Sequence, residues 1–168
     1  METMTDDKNF NEVADELIAM SREDQEMRER AVQSMDSWDP TVDHRNTARL
    51  KALVDEMGWL TVSKVGVEAS RSAWLLVQHA TSEPDFMRYC LELMKTAPAG
   101  DVSPANMALL EDRLLTMEGK PQIYGTQFRM VEGLAEPFPI EDFEHVDMRR
   151  MQVGLDSFAE YEARINSL

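Results

Sequence analysis

Residues 9–33, NFNEVADELIAMSREDQEMRERAVQ, carry apolar side chains at Phe10, Val13, Leu17, Met20, Met27 and Ala31. That recurrence at three- and four-residue intervals predicts one long amphipathic helix. Asp24 and Arg28 stand on the same stripe, four residues apart. A charge on a face meant for the interior is costly unless it meets a counter-charge, a set of hydrogen-bond donors or a ligand. The stretch therefore predicts a helical fold and a polar cluster inside it.

Working outward, the same two themes recur. Ser37-Trp38-Asp39-Pro40 breaks the first helix, and a second runs from about Thr41 to Met57 on Leu50, Leu53, Val54 and Met57, with Gly58 closing it. Ser63 caps a third through about Ala80, and Glu83-Pro84 opens a fourth that ends near Thr96. Ser103-Pro104 pairs a capping serine with a proline at the first helical position and starts a fifth, which stops at Gly119. Two short helices close the chain, around residues 142–153 and 157–166. Only the stretch around residues 122–131 has strand character, and Glu132-Gly133 after it reads as a turn, so a short hairpin or an ordered loop fits. The expectation is an all-α fold, a compact single-domain bundle of six or seven helices over residues 9–168. It has at most a short β-hairpin near 122–131, and residues 1–8 form a flexible N-terminus.

The whole-chain numbers bound the function. A chain of 168 residues can enclose a core, and a net charge of −15 repels phosphate backbones and anionic headgroups. Nucleic acid and membrane roles are therefore not expected, and the charge itself serves solubility, a basic partner or a cationic substrate group. One cysteine, Cys90, excludes an internal disulfide and a multi-thiolate metal site, and it reads as a packing residue. With neither a signal peptide nor an apolar run long enough to span a bilayer, a cytoplasmic location is expected.

Three helices carry the candidate chemistry. Asp112 falls in the middle of an apolar stripe of Ala105, Ala108, Leu109 and Leu115, where a carboxylate needs a cation, several donors or a raised pKa. His79 borders the run Ala73-Trp74-Leu75-Leu76-Val77, and histidine is the side chain most easily poised for proton transfer near neutrality. If Asp112 faces His79, it orients the imidazole. Otherwise Asp112 is an acceptor for a buried arginine or for backbone N–H groups, and His79 is a satisfied interior side chain. Arg28 offers a planar fork for an anionic group, or simply an intrahelical pair with Asp24. Asp43 lies near the start of the second helix, beside Asn46, and either joins the cluster or favours the helix dipole. Gln78, Arg113, Gln122, Tyr124, Thr126 and Gln127 supply hydrogen-bonding groups for a substrate or for an ordinary loop. No Gly-rich phosphate loop, GxSxG elbow or HExxH pair is present, so no metal or other cofactor is expected.

Several words of the chain together resemble a bacterial family catalogued as a domain of unknown function. They are Asp24-Gln25 and Arg28, Gly58-Trp59, Val65-Gly66, the run Ala73 to Ala80 (AWLLVQHA), Leu110-Glu111-Asp112-Arg113 (LEDR), Gln122 to Phe128 (QIYGTQF) and Gly154-Leu155. The resemblance spans roughly residues 15–165, with Leu60 standing where such proteins often carry proline. It implies one domain and transfers no mechanism. The leading functional expectation is a small cofactor-independent enzyme, a hydrolase, lyase or cyclase. It would act on a small molecule by acid–base chemistry: assisted hydrolysis, elimination, or intramolecular cyclisation with an anionic leaving group. His79 and Asp112 are its catalytic candidates. The other expectation is a non-catalytic binding or accessory subunit that works through protein–protein contacts, as a homo-oligomer or with another protein.

Overall fold

The structure, a computed structural model, describes residues 3–167, with side chains described from residue 9 onward. The expected flexible segment, 1–8, thus lies outside the residues whose side chains are described. Among the described residues there are seven α-helices and one two-stranded hairpin: the chain is all-α with a small β element. No helix is long and apolar enough to cross a membrane. Internal contacts group the chain into two compact units, one ending at Val102 and the other beginning at Ser103.

The first unit holds α1 (Thr3–Gln33), α2 (Pro40–Met57), α3 (Val62–His79) and α4 (Pro84–Thr96). The stripe of α1 is buried at Val13, Leu17, Met27 and Ala31, and Asp24 is buried along with them. Asp39 caps α2 by accepting from the Thr41 N–H at 2.9 Å, and Pro40 follows at the first helical position. Leu50, Leu53 and Val54 then turn inward from α2. α3 is kinked at Gly66, whose φ of 82° is open to a residue without Cβ. Beyond the kink Ala69, Ala73, Leu76 and Val77 are buried, and His79 is the last helical residue. Cys90 is enclosed on α4, where burial pushes its thiol up to about 12. It packs, and it is no nucleophile at neutral pH.

The second unit opens with α5 (Pro104–Met117), capped by Ser103, whose hydroxyl accepts from the Asn106 N–H. The short hairpin expected near residues 122–131 is present, and residues 122–127 ahead of it take the ordered-loop alternative. The observed strands are β1 (Phe128–Val131) and β2 (Leu134–Pro137), paired antiparallel with Phe128 opposite Pro137. Residues 122–127 are irregular because their N–H groups go elsewhere: three of them to the buried carboxylate of Asp112. Gln122, fully buried, braces the same segment by accepting from the Gln127 N–H and donating to the Gln127 and Phe138 carbonyls. α6 (Val146–Gln152) and α7 (Phe158–Ile165) complete the unit, and α7 starts with a reciprocal Ser157–Glu160 capping box.

Gly125 is the tightest point of this unit. Its φ is 67°, and a Cβ there would lie 2.8 Å from the Phe158 ring and 2.9 Å from Ile140. Gly154 has a similar φ of 78° with nothing within 4 Å of its Cβ position. Gly125→Ala therefore combines left-handed strain with overpacking and should cost about 2–5 kcal/mol, against about 1–2 kcal/mol for Gly154→Ala. Urea unfolding of the two variants measures the difference. Equal losses would mean that the ring contacts around Gly125 do not constrain it.

Candidate functional site

The polar cluster predicted on α1 is present in the first unit, and it joins three helices. Asp24 on α1 is only 1% exposed, yet both of its oxygens are used. Its Oδ1 accepts from Arg28 Nε at 3.2 Å, and its Oδ2 accepts from the Gln25 amide at 2.9 Å. Oδ2 also lies 2.8 Å from Nδ1 of His79 at the end of α3. Arg28, one turn along α1, sends Nη2 to Asp43 Oδ1 on α2 at 2.7 Å. Its guanidinium also lies over the Trp38 ring, 5.1 Å from the centroid.

His79 Nδ1 has two neighbours that make opposite demands. Arg28 Nε at 3.0 Å can only donate, and Asp24 Oδ2 at 2.8 Å can only accept. The carboxylate decides. A bare Nδ1 lone pair facing a buried carboxylate oxygen at that distance would set two acceptors against each other, whereas Arg28 Nε has Asp24 Oδ1 as an alternative acceptor. The proton therefore sits on Nδ1 and is donated to Asp24, leaving the Nε2 lone pair for chemistry. Among the described residues no group bonds Nε2. The imidazole is 17% exposed, so it is held by a buried partner without being sealed in.

The two carboxylates are driven apart. At Asp24, burial raises the proton affinity, but the His79 and Gln25 hydrogen bonds and the Arg28 and His79 charges outweigh it, leaving the pKa below its ordinary 3.8. At Asp43, burial dominates, the nearby Asp24 charge adds to it, and the pKa lies above 3.8 in spite of Arg28. Such divergence within one cluster is the pattern of a site that assigns different protonation roles to like groups. Arg28, flanked by two carboxylates, is not placed to hold an anion. With a neutral imidazole, the four side chains sum to one negative charge.

The sequence pairing of His79 with Asp112 is replaced by this one. The carboxylate bonded to His79 is Asp24, while Asp112 serves its own unit. Asp112 is fully buried, and its oxygens accept from the N–H groups of Ile123, Tyr124 and Thr126 at 2.7–3.2 Å and from the Thr126 hydroxyl at 3.0 Å. Burial lifts its pKa against the pull of those donors. The open alternative of a carboxylate accepting backbone N–H bonds is the one realised. The remaining candidates of that unit join the same scaffold. Arg113 Nε donates to Gln127 Oε1 at 3.2 Å, Gln127 Nε2 donates to the Thr126 hydroxyl, and the Tyr124 carbonyl accepts from Arg150 at 2.7 Å. Gln78 is buried next to His79 on α3.

Two residues went unread in the sequence. Trp38 looked like part of a helix break, yet it covers the Arg28 guanidinium. A tryptophan beside a break, following an arginine on a buried stripe, was the available signal. Arg150 is fully buried, donating to the Asp156 carbonyl and carboxylate and lying 4.9 Å from the Tyr161 ring centroid. Its short helix has no periodicity that separates it from its neighbour Arg149, which is only part-buried, so no sequence signal marked it.

Because the Asp24 pKa is lowered, its contribution to stability is present above the ordinary value of 3.8 and is lost as pH falls through the lower folded value. Asp43 runs the other way, since a raised pKa favours the folded state as it takes up a proton. Asp24→Asn should destabilise the first unit by about 2–4 kcal/mol at pH 6, and the gap to wild type should narrow as pH falls below 3.8. Urea midpoints measured from pH 6 to pH 3 test this; a gap that stays constant or widens contradicts the assignment.

No curated protein and no solved structure matches the chain. The profile of one family, described as a family of unknown function, DUF6624, matches residues 11–167. That span takes in the cluster residues Asp24, Arg28, Asp43 and His79 and nearly all of the second unit, and this chain belongs to that family.

Proposed function

We propose that the chain is a small cofactor-independent enzyme of the cytoplasm that acts on a small molecule by acid–base chemistry, with His79 as the proton-transfer group and Asp24 as its orienting carboxylate. The observation that carries the reading is the 2.8 Å contact between a 1%-exposed carboxylate and a 17%-exposed imidazole. A buried acceptor on Nδ1 fixes the tautomer, aims the ring and stabilises the imidazolium that forms when Nε2 takes a proton. Arg28 holds Asp24 in place and offsets part of its charge, and Asp43 in turn holds Arg28.

In this reading Nε2 removes a proton from water or from the substrate, and the imidazolium, held against Asp24, returns that proton to the departing group. The same cycle serves assisted hydrolysis, elimination and intramolecular cyclisation. Cys90 is enclosed with a raised pKa, which supports a mechanism without a covalent thiol intermediate.

One observation favours the second reading, an accessory module in which the cluster only ties α1, α2 and α3 together. Both Asp24 oxygens and two nitrogens of Arg28 are already bonded within the protein. The two readings separate on His79→Gln. Wild type and this variant are assayed on panels of esters, lactones and β-substituted carbonyl compounds, neutral or amine-bearing, with circular dichroism as the check on folding. The enzyme reading predicts turnover that falls by about 10²–10⁴-fold in a folded His79→Gln protein. Wild-type turnover no faster than the variant's across all panels, or a His79→Gln variant that fails to fold, supports the accessory module instead.

A further inference from the structure

The Asp24 cluster takes its histidine from the last turn of α3, and a second feature sits where that helix begins. Trp59, Lys64, Leu93, Ala97, Pro98 and Asp101 are among the residues lining an open cavity of about 410 Å³ in the first unit. Trp59 is only 4% exposed, and its indole N–H is buried with no acceptor among the described residues. Lys64 Nζ donates to the Met57 carbonyl and to the carbonyl of Trp59 itself, the latter at 3.0 Å. Among the described residues the third N–H of that ammonium meets no acceptor, and its charge meets no paired carboxylate. Asp101, the acid of this wall, is taken up by Ser63: its Oδ1 accepts from the backbone N–H and its Oδ2 from the hydroxyl, each at 2.6 Å. Beyond the Gly66 kink α3 runs about 20 Å, at roughly 1.5 Å per residue, before ending at His79, so the cavity is separate from the Asp24 cluster.

We infer that this cavity binds a small organic monocarboxylate, with one oxygen on the Lys64 ammonium, the other on the Trp59 indole N–H, and its hydrocarbon body against Leu93, Ala97 and Pro98. The wall lacks acceptors, and that selects the ligand. A buried N–H without an acceptor costs free energy that an incoming oxygen restores. An ammonium answered only by carbonyls gains more from a carboxylate than from another neutral acceptor, since a hydrogen bond between two charges is the stronger kind. An amine would set donor against donor at Lys64 and leave the indole unanswered. Lys64 and Asp101 are the two charged residues of the lining and sum to zero, in a protein of net charge −15. A second negative charge on the ligand, as in a dicarboxylate or phosphate, therefore finds no cation. Repulsion of the single charge by the distant acidic surface is screened over about 8 Å at physiological salt.

Binding here does not depend on the acid–base reading of His79. 3-Methylbutanoate, its amide, the matching 3-methylbutylammonium ion and the dicarboxylate 3-methylglutarate are titrated into wild type and Lys64→Met at physiological salt. Binding is followed in ¹H–¹⁵N spectra of the indole N–H groups, with the Trp59 resonance identified by its loss from Trp59→Phe. The monocarboxylate should bind at least about tenfold more tightly than the other three and should move the Trp59 indole proton downfield. Lys64→Met should bring it down to the level of the amide. If Lys64→Met fails to fold, the ranking of the four ligands on wild type and the Trp59 resonance still decide. Amide, ammonium or dicarboxylate binding as tight as the monocarboxylate's overturns the inference. So does monocarboxylate binding that survives Lys64→Met or leaves the Trp59 resonance unmoved, which places it elsewhere on the protein. Spectra unchanged by all four ligands at millimolar concentrations overturn it as well.

Discussion

A carboxylate taken out of water has to be answered, and in the first unit Asp24 sets the terms for everything around it. Left alone on the buried face of α1 it would cost several kcal/mol. The chain answers it from three helices: Arg28 from α1 itself, His79 from the end of α3, and Asp43 on α2 through Arg28. The arrangement fixes how these helices meet, and it also fixes the imidazole. Packing and possible chemistry therefore come from one constraint.

The second unit solves the same problem differently. Asp112 is even more deeply buried, but its partners are backbone N–H groups of a single loop and one hydroxyl. Neutral donors hold the loop of residues 122–127 in an irregular shape and leave no titratable partner near the surface. The contrast is between a cluster that reaches the surface and one that does not. Around Asp24 the charge is passed on to a part-exposed imidazole and a part-exposed carboxylate. Around Asp112 it ends inside the protein.

How much of this could be read from the sequence follows from which interactions are local. Helix starts at Pro40 and Pro104 rest on a side-chain cap and a fixed φ, and that at Pro84 on its fixed φ, all within a few residues, so they were legible, as was the inward face of α1. That Asp24, Arg28, Asp43 and His79 face the interior was legible for the same reason, since periodicity is a property of each helix alone. Which carboxylate meets the imidazole was not, because that depends on how separate helices pack. The choice between hairpin and ordered loop for residues 122–127 was not legible for a related reason: Ile123, Tyr124 and Thr126 give their N–H groups to a carboxylate contributed by α5, and no local pattern announces that. Arg150 was invisible because a buried arginine is defined by its distant acceptors, here Tyr124 and Asp156.

The central claim is that Asp24 holds the proton of neutral His79 on Nδ1, and ¹⁵N NMR of the imidazole reads this most directly. With the imidazole neutral, the account predicts a protonated Nδ1, with a proton resonance shifted downfield by the carboxylate, and an unprotonated Nε2. The opposite tautomer, with Nε2 carrying the proton and Nδ1 accepting from Arg28, would leave the site without a base and would contradict the account.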